Sequence, residues 1–548
     1  MGFGRTCAVA LIGVEGVVVE VQADLEPGVA AFSLVGLPDK SLVESRDRVR
    51  AAVVNSGAEW PQRKLTVGLS PAAVPKSGSG FDLAVAAAVM GAADRIPPTA
   101  LSGLVLIGEL DLDGRVRAVP GVLPAVLAAA DAGFRQVVVP QACAAEAALV
   151  PEVSVLGVRS LAQLIAVLTG AEVPFEEAQV PGAASALRGP DGAVTGLLLP
   201  AAGAGLLSSR TGSGATARSP DLADVAGQPA ARRAVEVAAA GGHHLYLSGP
   251  PGAGKTMLAE RLPALLPTLS RRDSLEVTAV HSVAGILPPG EPLVRTAPYC
   301  APHHSATMQA LVGGGSGGGP RPGAVSLAHR GVLFLDEAPE FSCRALDALR
   351  QPLECGHVVV ARAAGVVRLP ARFLMVLAAN PCPCGRHYAH GTGCDCPPAA
   401  IRRYQARLSG PLLDRVDLRV EVEPVSRSDL LGSGGRSEST EVVAARVREA
   451  RERAAARFAH TTWTLNAEVP GHELRTRWPV APGALDLAER DLERGLLTAR
   501  GLDRVLRVAW TLADLAARTR PGADEVATAL ELRTGVPRGV ALPREERR

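Results

Sequence analysis

The residues best suited to chemistry form one glycine-rich run: Gly249, Pro250, Pro251, Gly252, Ala253, Gly254, Lys255 and Thr256. Residues 244–248 predict a strand before it, and we expect a helix to begin near Lys255. In that context, backbone N–H groups and the helix N-terminus hold phosphate oxygens. Lys255 would reach the β- and γ-phosphates, and Thr256 would bind Mg²⁺. The alternative is a chance glycine-rich turn, which the complete eight-residue pattern disfavours.

Two carboxylates, Asp336 and Glu337, follow the apolar run 332–335, which predicts a buried strand. We expect Asp336 to hold Mg²⁺ through water and Glu337 to polarise the attacking water. Because strands often end in acidic residues, the pair alone is a weak indication of a nucleotide site. Together with the phosphate loop it is a strong one. A second predicted strand, residues 373–378, leads to Asn380 as a candidate γ-phosphate sensor. An ordinary turn before Pro381 is the alternative there.

Two arginines are candidates for contact with the phosphates. Arg415, in the segment 412–417, is a candidate arginine finger that acts in the site of a neighbouring subunit. Arg500 precedes an apolar helical pattern and could close over the nucleotide. The chain is rich in arginine, so a solvated surface position is a strong alternative for each residue taken alone.

A cysteine cluster follows the predicted sensor. Its members are Cys382, Cys384, Cys394 and Cys396. Four thiolates brought together by a short loop suit a structural Zn²⁺ site, which would brace the loop that carries Asn380. The spacing is C-x-C twice instead of the common C-x₂-C. Four unligated thiols are therefore the alternative.

Length and composition limit the classes of protein. The chain has 548 residues, 20% of them charged, and a formal net charge of +2. The length predicts two to four domains, and the small net charge confines any nucleic-acid contact to local patches. Glu15 and Glu20 interrupt the apolar N-terminal run, so we expect no signal peptide. The nine cysteines do not resemble a secreted disulfide framework, which predicts a soluble cytoplasmic protein without membrane association.

The motifs require elements that position them, and the patterning predicts four regions. Residues 1–170 alternate β-branched runs with helical stretches, as expected for an α/β domain. Residues 171–220 predict a flexible linker, rich in Gly, Pro, Ser and Ala. Residues 221–426 contain the strand–loop–helix units of the nucleotide motifs. After a hinge at 432–435, residues 438–545 are predicted to be helical.

Several longer motifs carry a family resemblance. They are 331–340 (GVLFLDEAPE), 301–315 (APHHSATMQALVGGG), 379–385 (ANPCPCG), 407–418 (RLSGPLLDRVDL), 32–40 (FSLVGLPDK), 46–57 (RDRVRAAVVNSG) and 78–83 (GSGFDL). With these motifs the chain resembles the YifB/ComM family of magnesium-chelatase-like AAA+ ATPases, over nearly its whole length except the linker. The resemblance implies an α/β multidomain fold. Its parts are a Lon-protease-like (ribosomal S5 domain 2-like) N-terminal domain, a P-loop AAA+ α/β core with a helix-2 insert, and an all-α C-terminal lid.

The resemblance also implies roles for several residues. It places Arg415 in the finger position and Arg500 in the second sensor position. It assigns a hairpin insert to Glu276–His329, in which 313–319 suits an exposed loop. A second hairpin, residues 358–372, would direct Arg362, Arg368 and Arg372 towards a central pore, where they could grip DNA phosphates. A solvated hairpin with ordinary arginines is the alternative.

The N-terminal domain is expected to lack protease activity. The favoured alignment with Lon puts Gly80 at the position of the catalytic serine, one residue from Ser79, and Leu123 at the position of the lysine. No lysine lies between Lys76 and Lys255. Because a serine hydroxyl without a base is a poor nucleophile, we expect an assembly or docking module.

The predicted function is an ATP-hydrolysing AAA+ motor that uses ATP and Mg²⁺. The resemblance implies a homo-hexamer that acts on single-stranded or branched DNA as a helicase or branch-migration factor in recombination or natural transformation. The alternative is a chelatase-like or regulatory ATPase that remodels a protein partner. A protease and a scaffold are weaker alternatives. The sequence identifies no protein loader. In the helical region, the five arginines between 446 and 457 are expected to form a solvated face with ion pairs.

Overall fold

The computed structural model describes residues 2–76, 78–173, 220–288, 292–314, 320–362, 365–387, 393–425, 429 and 437–535. Two sheets, each packed with its own helices, and a helical C-terminal region form the described chain. The expected mixed α/β class is therefore confirmed. Residues 174–219, the bulk of the predicted linker, lie outside the described residues.

The first sheet belongs to the N-terminal region. Its strands are β1 (Gly2–Ile12), β2 (Glu15–Glu26), β3 (Ala31–Val35), β4 (Lys64–Ser70), β5 (Leu104–Leu106), β8 (Gln136–Pro140) and β9 (Ser154–Val158). A separate short pair consists of β6 (Glu109–Leu110) and β7 (Val116–Arg117). The order in the seven-stranded sheet is β3-β4-β2-β1-β5-β8-β9. The apolar N-terminal run forms part of β1, which pairs with β2 along its full length.

Six helices accompany this sheet: α1 (Lys40–Asn55), α2 (Asp82–Ala92), α3 (Pro98–Leu101), α4 (Val122–Asp131), α5 (Ala144–Ala147) and α6 (Leu161–Thr169). Every residue of α2 is buried. The helix lies close to β1 because it meets a glycine there: a Cβ atom on Gly4 would be 2.0 Å from the carbonyl oxygen of Ala88. The small side chains of α2 therefore form the centre of the first domain.

The second sheet is parallel and carries the predicted chemistry at one edge. Its strands are β10 (Leu245–Ser248), β11 (Tyr299–Cys300), β12 (Val332–Leu335), β15 (Leu374–Ala379) and β16 (Leu418–Glu421). They are ordered β11-β12-β15-β10-β16. All residues of β12 and β15 are buried, as expected for a parallel sheet covered on both faces. The carboxyl ends of neighbouring parallel strands meet at the same edge, which brings the phosphate loop, the acidic pair and Asn380 together.

The helices of the core are α7 (Pro229–Gly241), α8 (Lys255–Leu265), α9 (Arg271–Ala284), α10 (Met308–Val312), α11 (Ala324–Leu327), α12 (Cys343–Ala348), α13 (Arg350–Cys355), α14 (Pro398–Gln405) and α15 (Gly410–Leu413). The segment expected to carry the insert, Glu276–His329, also contains the core strand β11. The helical interruption lies between α10 and α11, where Gly314 and Arg321 form an antiparallel bridge. Residues 315–319 of the expected exposed loop lie outside the described residues. Strand β11 has two residues, and this is too short for its hydrophobic pattern to be recognised in the sequence.

The second hairpin is present as predicted. Its strands β13 (His357–Arg362) and β14 (Gly365–Pro370) pair antiparallel from His357 opposite Pro370. The turn between β1 and β2 packs against this hairpin: Ile12 and Val14 join its apolar cluster. A Cβ atom on Gly13 would lie 2.4 Å from Cγ1 of Val367. The N-terminal domain thus covers one side of the hairpin.

The C-terminal helices are α16 (Thr440–Arg457), α17 (Gly471–Thr476), α18 (Asp486–Glu493), α19 (Ala499–Leu515) and α20 (Ala523–Thr534). The apolar faces of α16, α18, α19 and α20 share one core with β10 and β16. Leu474 of α17 packs in a separate cluster with Phe458 and Trp510. The expected solvated arginine face is correct for Arg453, which pairs with Glu449 at 3.0 Å. It is wrong for Arg457, whose guanidinium is buried between Asp514 and the ring of Trp510. In the part of the chain described, no helix has the length and apolar character needed to cross a bilayer.

Candidate active site

The phosphate loop connects β10 to α8 as the sequence predicts. Gly252 and Gly254 have φ angles of +78° and +95°, which side chains with a Cβ rarely adopt. The Lys255 side chain is 7% exposed. Its ammonium donates to the carbonyl oxygens of Gly249 at 2.6 Å and Pro250 at 2.9 Å. Burial lowers the pKa of Lys255, although Asp336 and Glu337 oppose that shift.

The acidic pair begins directly after β12. The Thr256 hydroxyl donates to Asp336 Oδ2 at 2.9 Å, so the two expected Mg²⁺ ligands lie side by side. The other oxygen of Asp336 accepts the backbone N–H of Glu337 at 2.9 Å. Glu337 has a φ of +49°, and this left-handed conformation turns the chain sharply at the strand end. Asp336 is thus oriented as a metal-side ligand, and Glu337 is left available for another task.

Asn380 follows β15 and completes the cluster. Its Oδ1 accepts a hydrogen bond from Lys255 Nζ at 3.1 Å, although the residues are 125 positions apart. Oxygen and nitrogen of an amide are assigned from such contacts, and the ammonium can only donate. The amide therefore lies beside the group expected to bind the γ-phosphate.

One neighbour of the acidic pair was missed in the sequence. His304 Nδ1 lies 3.4 Å from Glu337 Oε2, and its ring lies 4.0 Å from that of His303. His304 belongs to the family motif 301–315, but the sequence predicted no role for it. Its position in the loop that leaves β11, near the edge where the carboxylates also emerge, is the signal that could have identified it.

The two candidate arginines are not part of this cluster. Arg415 donates to the Pro411 carbonyl oxygen at 2.6 Å and pairs with Glu354. Arg500 lies in the first turn of α19 and is exposed. Among the described residues, its side chain makes no hydrogen bond or ion pair. The finger and second-sensor roles therefore stay predictions.

Two of the three candidate arginines of the second hairpin have side chains in the described part of the chain. Arg368 lies on β14 opposite Val359 and is exposed, and so is Arg372 just beyond the strand. Neither forms an ion pair within the described ranges. The Arg362 side chain lies outside the described part of the chain. Two exposed guanidinium groups without carboxylate partners are compatible with phosphate binding.

The four clustered cysteines converge at the same edge of the sheet. Their Sγ atoms all lie within 4.8 Å of one another, which makes them a possible metal-binding group. Cys382 is buried, and the other three are more accessible. The soft thiolates suit Zn²⁺ best among the common divalent ions.

The expected protease residues do not form a dyad. Ser79 donates to Glu109, and Lys76 donates to the carbonyl oxygen of Pro71 instead of to Ser79. Leu123, at the expected lysine position, is fully buried. Within the described residues, the Ser79 hydroxyl therefore has a carboxylate neighbour but no lysine neighbour.

Comparison with protein families agrees with this geometry. The model of the magnesium chelatase subunit ChlI matches residues 221–430, the region of the phosphate loop and acidic pair. Two further models also match: one for subunit ChlI of magnesium chelatase covers residues 21–143, and one for the C-terminal region of ChlI covers residues 437–533. Individual relatives extend the match. The competence protein ComM of Haemophilus influenzae is 38% identical over 537 residues, 96% of each chain.

The chain belongs to the YifB/ComM family of magnesium-chelatase-like AAA+ proteins.

Other members of the family match with similar coverage. YifB of Escherichia coli is 38% identical over 506 residues, 92% of each chain. An uncharacterized protein of Mycobacterium tuberculosis is 52% identical over 533 residues, 97% of this chain and 99% of its own. The Lon protease of Clostridioides difficile is 29% identical over 156 residues, 27% of this chain and 20% of its own. This restricted match accords with a Lon-like region within a chain of the YifB/ComM family.

Proposed function

We propose that this protein is an ATP-hydrolysing motor that assembles as a homo-hexamer in the cytoplasm and remodels branched or displaced-strand DNA. The observation that carries the proposal is the convergence of Lys255, Thr256, Asp336 and Asn380 at one sheet edge. Each step of hydrolysis has a candidate group there. Lys255 and the loop N–H groups would bind the phosphates, and Glu337 would activate water.

ATP and Mg²⁺ are the cofactors of the proposed reaction. The Thr256 hydroxyl and the Asp336 carboxylate are hydrogen-bonded to each other. Both are oxygen ligands of the kind that Mg²⁺ prefers, so together they could hold the ion of a bound Mg–ATP. Thr256 and Asp336 would hold this Mg²⁺, which would supply positive charge to offset the charge that develops on the phosphates. The residues of this chain would orient the metal and exclude competing water. A structural Zn²⁺ at the four clustered cysteines completes the proposed set.

A ring assembly is proposed because the site lacks an arginine of its own. Arg415 is occupied by Pro411 and Glu354 and touches none of the catalytic residues within the described chain. A neighbouring subunit could supply this charge in trans, since an arginine finger stabilises the transition state of phosphoryl transfer. Six subunits are the number that the family resemblance implies.

DNA is proposed as the substrate on two grounds. Arg368 and Arg372 are exposed and form no ion pair with any residue in the described ranges, so their positive charge is available to a ligand. A relative of similar length carries the name competence protein, and competence concerns DNA uptake. Recombination or natural transformation is therefore the proposed context.

The deciding experiment measures ATP hydrolysis with and without DNA at low salt. The arms are forked duplex, single-stranded DNA and blunt duplex, with Lys255→Ala as the blank. We expect forked or single-stranded DNA to stimulate turnover severalfold. Absence of both stimulation and DNA binding would refute the DNA part of the proposal. Hydrolysis no higher than that of Lys255→Ala would refute the ATPase itself.

A second candidate is a motor that remodels a protein partner, as the match to chelatase subunit models suggests. Glu337→Gln should bind ATP without turnover and hold such a partner. Nucleotide-dependent capture of one protein by this variant, without DNA stimulation of the wild type, would favour this candidate over the first.

A further inference from the structure

The sulfur positions in the cysteine cluster match those around a single tetrahedral ion. Cys382 Sγ lies 3.3 Å from Cys384 Sγ and 3.7 Å from Cys394 Sγ, and Cys384 and Cys394 are 3.7 Å apart. With Zn–S bonds of about 2.3 Å, tetrahedral geometry separates the sulfurs by about 3.8 Å. Small movements would therefore bring all four to bonding distance of one ion.

The cysteines come from two separate stretches of the chain, and this distinguishes them from chance neighbours. Cys382 and Cys384 flank one turn, and Cys394 and Cys396 precede α14. Sulfur–hydrogen groups form only weak hydrogen bonds. A metal ion provides a far stronger reason for four thiols to share one position than contact between the thiols does.

The first turn rests on the phosphate loop. Gly385 has a φ of +74°, and a Cβ atom there would lie 2.5 Å from Cδ of Pro251. The backbone at Gly385 therefore packs directly against the loop that holds the phosphates. A displacement of the turn would be transmitted to Pro251 by direct contact.

The same segment begins at the sensor. Asn380 is followed by Pro381 and then by Cys382, which is fully buried. Two side chains of α14 contact this segment. Gln405 donates to the Pro381 carbonyl oxygen at 3.2 Å, and the Tyr404 hydroxyl is hydrogen-bonded to the backbone of Asn380. The cysteine turns therefore connect α14, the sensor and the phosphate loop.

From these contacts we infer that the four thiolates bind one Zn²⁺ ion, and that this ion sets the positions of Asn380 and Pro251 so that ATP turnover depends on it. The metal site stands by itself. The dependence of turnover rests on the proposed ATPase function. Zinc acts here as a structural brace, and no electron or group transfer is involved.

The metal is tested on the full-length protein purified from zinc-supplemented cells. We expect one zinc per chain by elemental analysis, and thiolate charge-transfer bands after replacement with Co²⁺. Cys384→Ser should lose the metal, whereas Cys355→Ser, an exposed cysteine outside the cluster, should keep it. Iron in place of zinc, or less than a tenth of an ion per chain, on the order of background, would overturn the site.

The coupling is tested with two further measurements. Removal of zinc by a thiol-directed mercurial and a chelator should lower kcat by about tenfold or more, and added zinc should restore it after thiol reduction. Gly385→Ala should keep its zinc and still lower kcat, because its Cβ displaces the turn from Pro251. This variant separates loss of contact from loss of fold.

The possible outcomes are distinguishable. If zinc is present and its removal leaves kcat unchanged, the coupling is wrong and the brace is local. If zinc is present but the wild type hydrolyses no ATP, the proposed function fails while the metal site stands. The coupling is then measured as the effect of zinc removal on ATP affinity, and an unchanged affinity would overturn it. Folding of each variant is checked by its melting temperature.

Discussion

At the sheet edge that carries the phosphate loop, two adjacent carboxylates have different partners. Asp336 accepts hydrogen bonds from the Thr256 hydroxyl and from the backbone N–H of Glu337. These contacts hold the Asp336 carboxylate beside Thr256. The Glu337 side chain is half exposed, and its carboxylate lies 3.4 Å from His304 Nδ1. Adjacent sequence positions thus separate the proposed metal ligand from the proposed base.

A change of Glu337 to glutamine should stop hydrolysis while ATP still binds. The amide cannot accept a proton from water, and general bases typically contribute about 100-fold or more to the rate. We expect kcat to fall by about that factor, with nucleotide affinity unchanged within about threefold. Single-turnover hydrolysis and binding of a fluorescent ATP analogue measure the two quantities. A variant with full turnover would exclude Glu337 as the base.

His304 offers a matched comparison. His304→Ala leaves the carboxylate in place and removes only its neighbour at 3.4 Å. Turnover should fall by less than in Glu337→Gln, on the order of tenfold, because the base is less well oriented and not lost. An effect as large as that of Glu337→Gln would indicate a direct chemical role for the histidine.

At the scale of elements, an ionic contact ties α9 to the start of β12. Glu276 accepts from His329 Nε2 at 3.2 Å and pairs with Arg330 at 3.2 Å. The hydrogen bond from His329 is the main reason why the pKa of Glu276 falls to about 2 from an ordinary value of 4.5. A carboxylate whose pKa is lower in the folded state than in the unfolded state stabilises the fold at pH values above its ordinary pKa.

This contact should make stability depend on pH. The contribution of Glu276 is present above pH 4.5 and is lost as pH falls towards 2. The melting temperature of Glu276→Gln should therefore be lower than that of the wild type at pH 6, and the difference should narrow below pH 4.5. Glu493→Gln, at an exposed helix end, serves as the control. A gap that stays constant with pH would contradict the assignment.

The hairpin β13–β14 has two sides with different surroundings. Val367 packs under the turn at Gly13, whereas Arg368 is exposed. Only the exposed side is available to a ligand. The N-terminal domain thus acts on the hairpin as a support.

Arg368→Ala tests the exposed side. If Arg368 binds one phosphate, the slope of log affinity against log salt should decrease by about one, with a similar loss for every DNA sequence. Fluorescence anisotropy at several salt concentrations measures this slope. Arg402→Ala, an exposed arginine on α14, is the matched control. Equal slopes for Arg368→Ala and the wild type would remove Arg368 from the DNA interface.

At the scale of the whole molecule, the N-terminal domain is attached by polar contacts as well as apolar ones. The half-buried Glu146 carboxylate accepts from the Ser282 hydroxyl at 2.5 Å and from the backbone N–H of Leu123 at 2.7 Å. Burial raises the pKa of Glu146. Since Ser282 belongs to α9 of the core, this carboxylate connects the two domains. A docking role for the first domain accords with such an interface.

The proposed ring makes a prediction about mixed assemblies. Arg415→Ala would lack the finger and Glu337→Gln would lack the base, so each should be inactive alone. In co-expressed mixed rings, a site with an intact Glu337 can receive Arg415 from a Glu337→Gln neighbour. About a quarter of the interfaces in an equal mixture should then be competent. Recovery of ATPase activity measures this, and failure to recover any activity would contradict a finger in trans.

What the sequence determined by itself was local. The phosphate loop and the acidic pair each occupy a few consecutive residues, so their chemistry is contained in short stretches. The strands before the acidic pair and before Asn380, β12 and β15, were predicted almost to the residue, because buried parallel strands form continuous apolar runs. Family motifs then extended the assignment to the three regions of the chain.

Only the tertiary structure decided which distant residues share a site. The parallel order β11-β12-β15-β10 places Asn380 beside Lys255 and His304 beside Glu337. It also buries Arg457 against Trp510, in a helix whose sequence suggests a solvated face. Such pairs depend on how the sheet is ordered and how the helices pack on it, and no local pattern of residues contains that information.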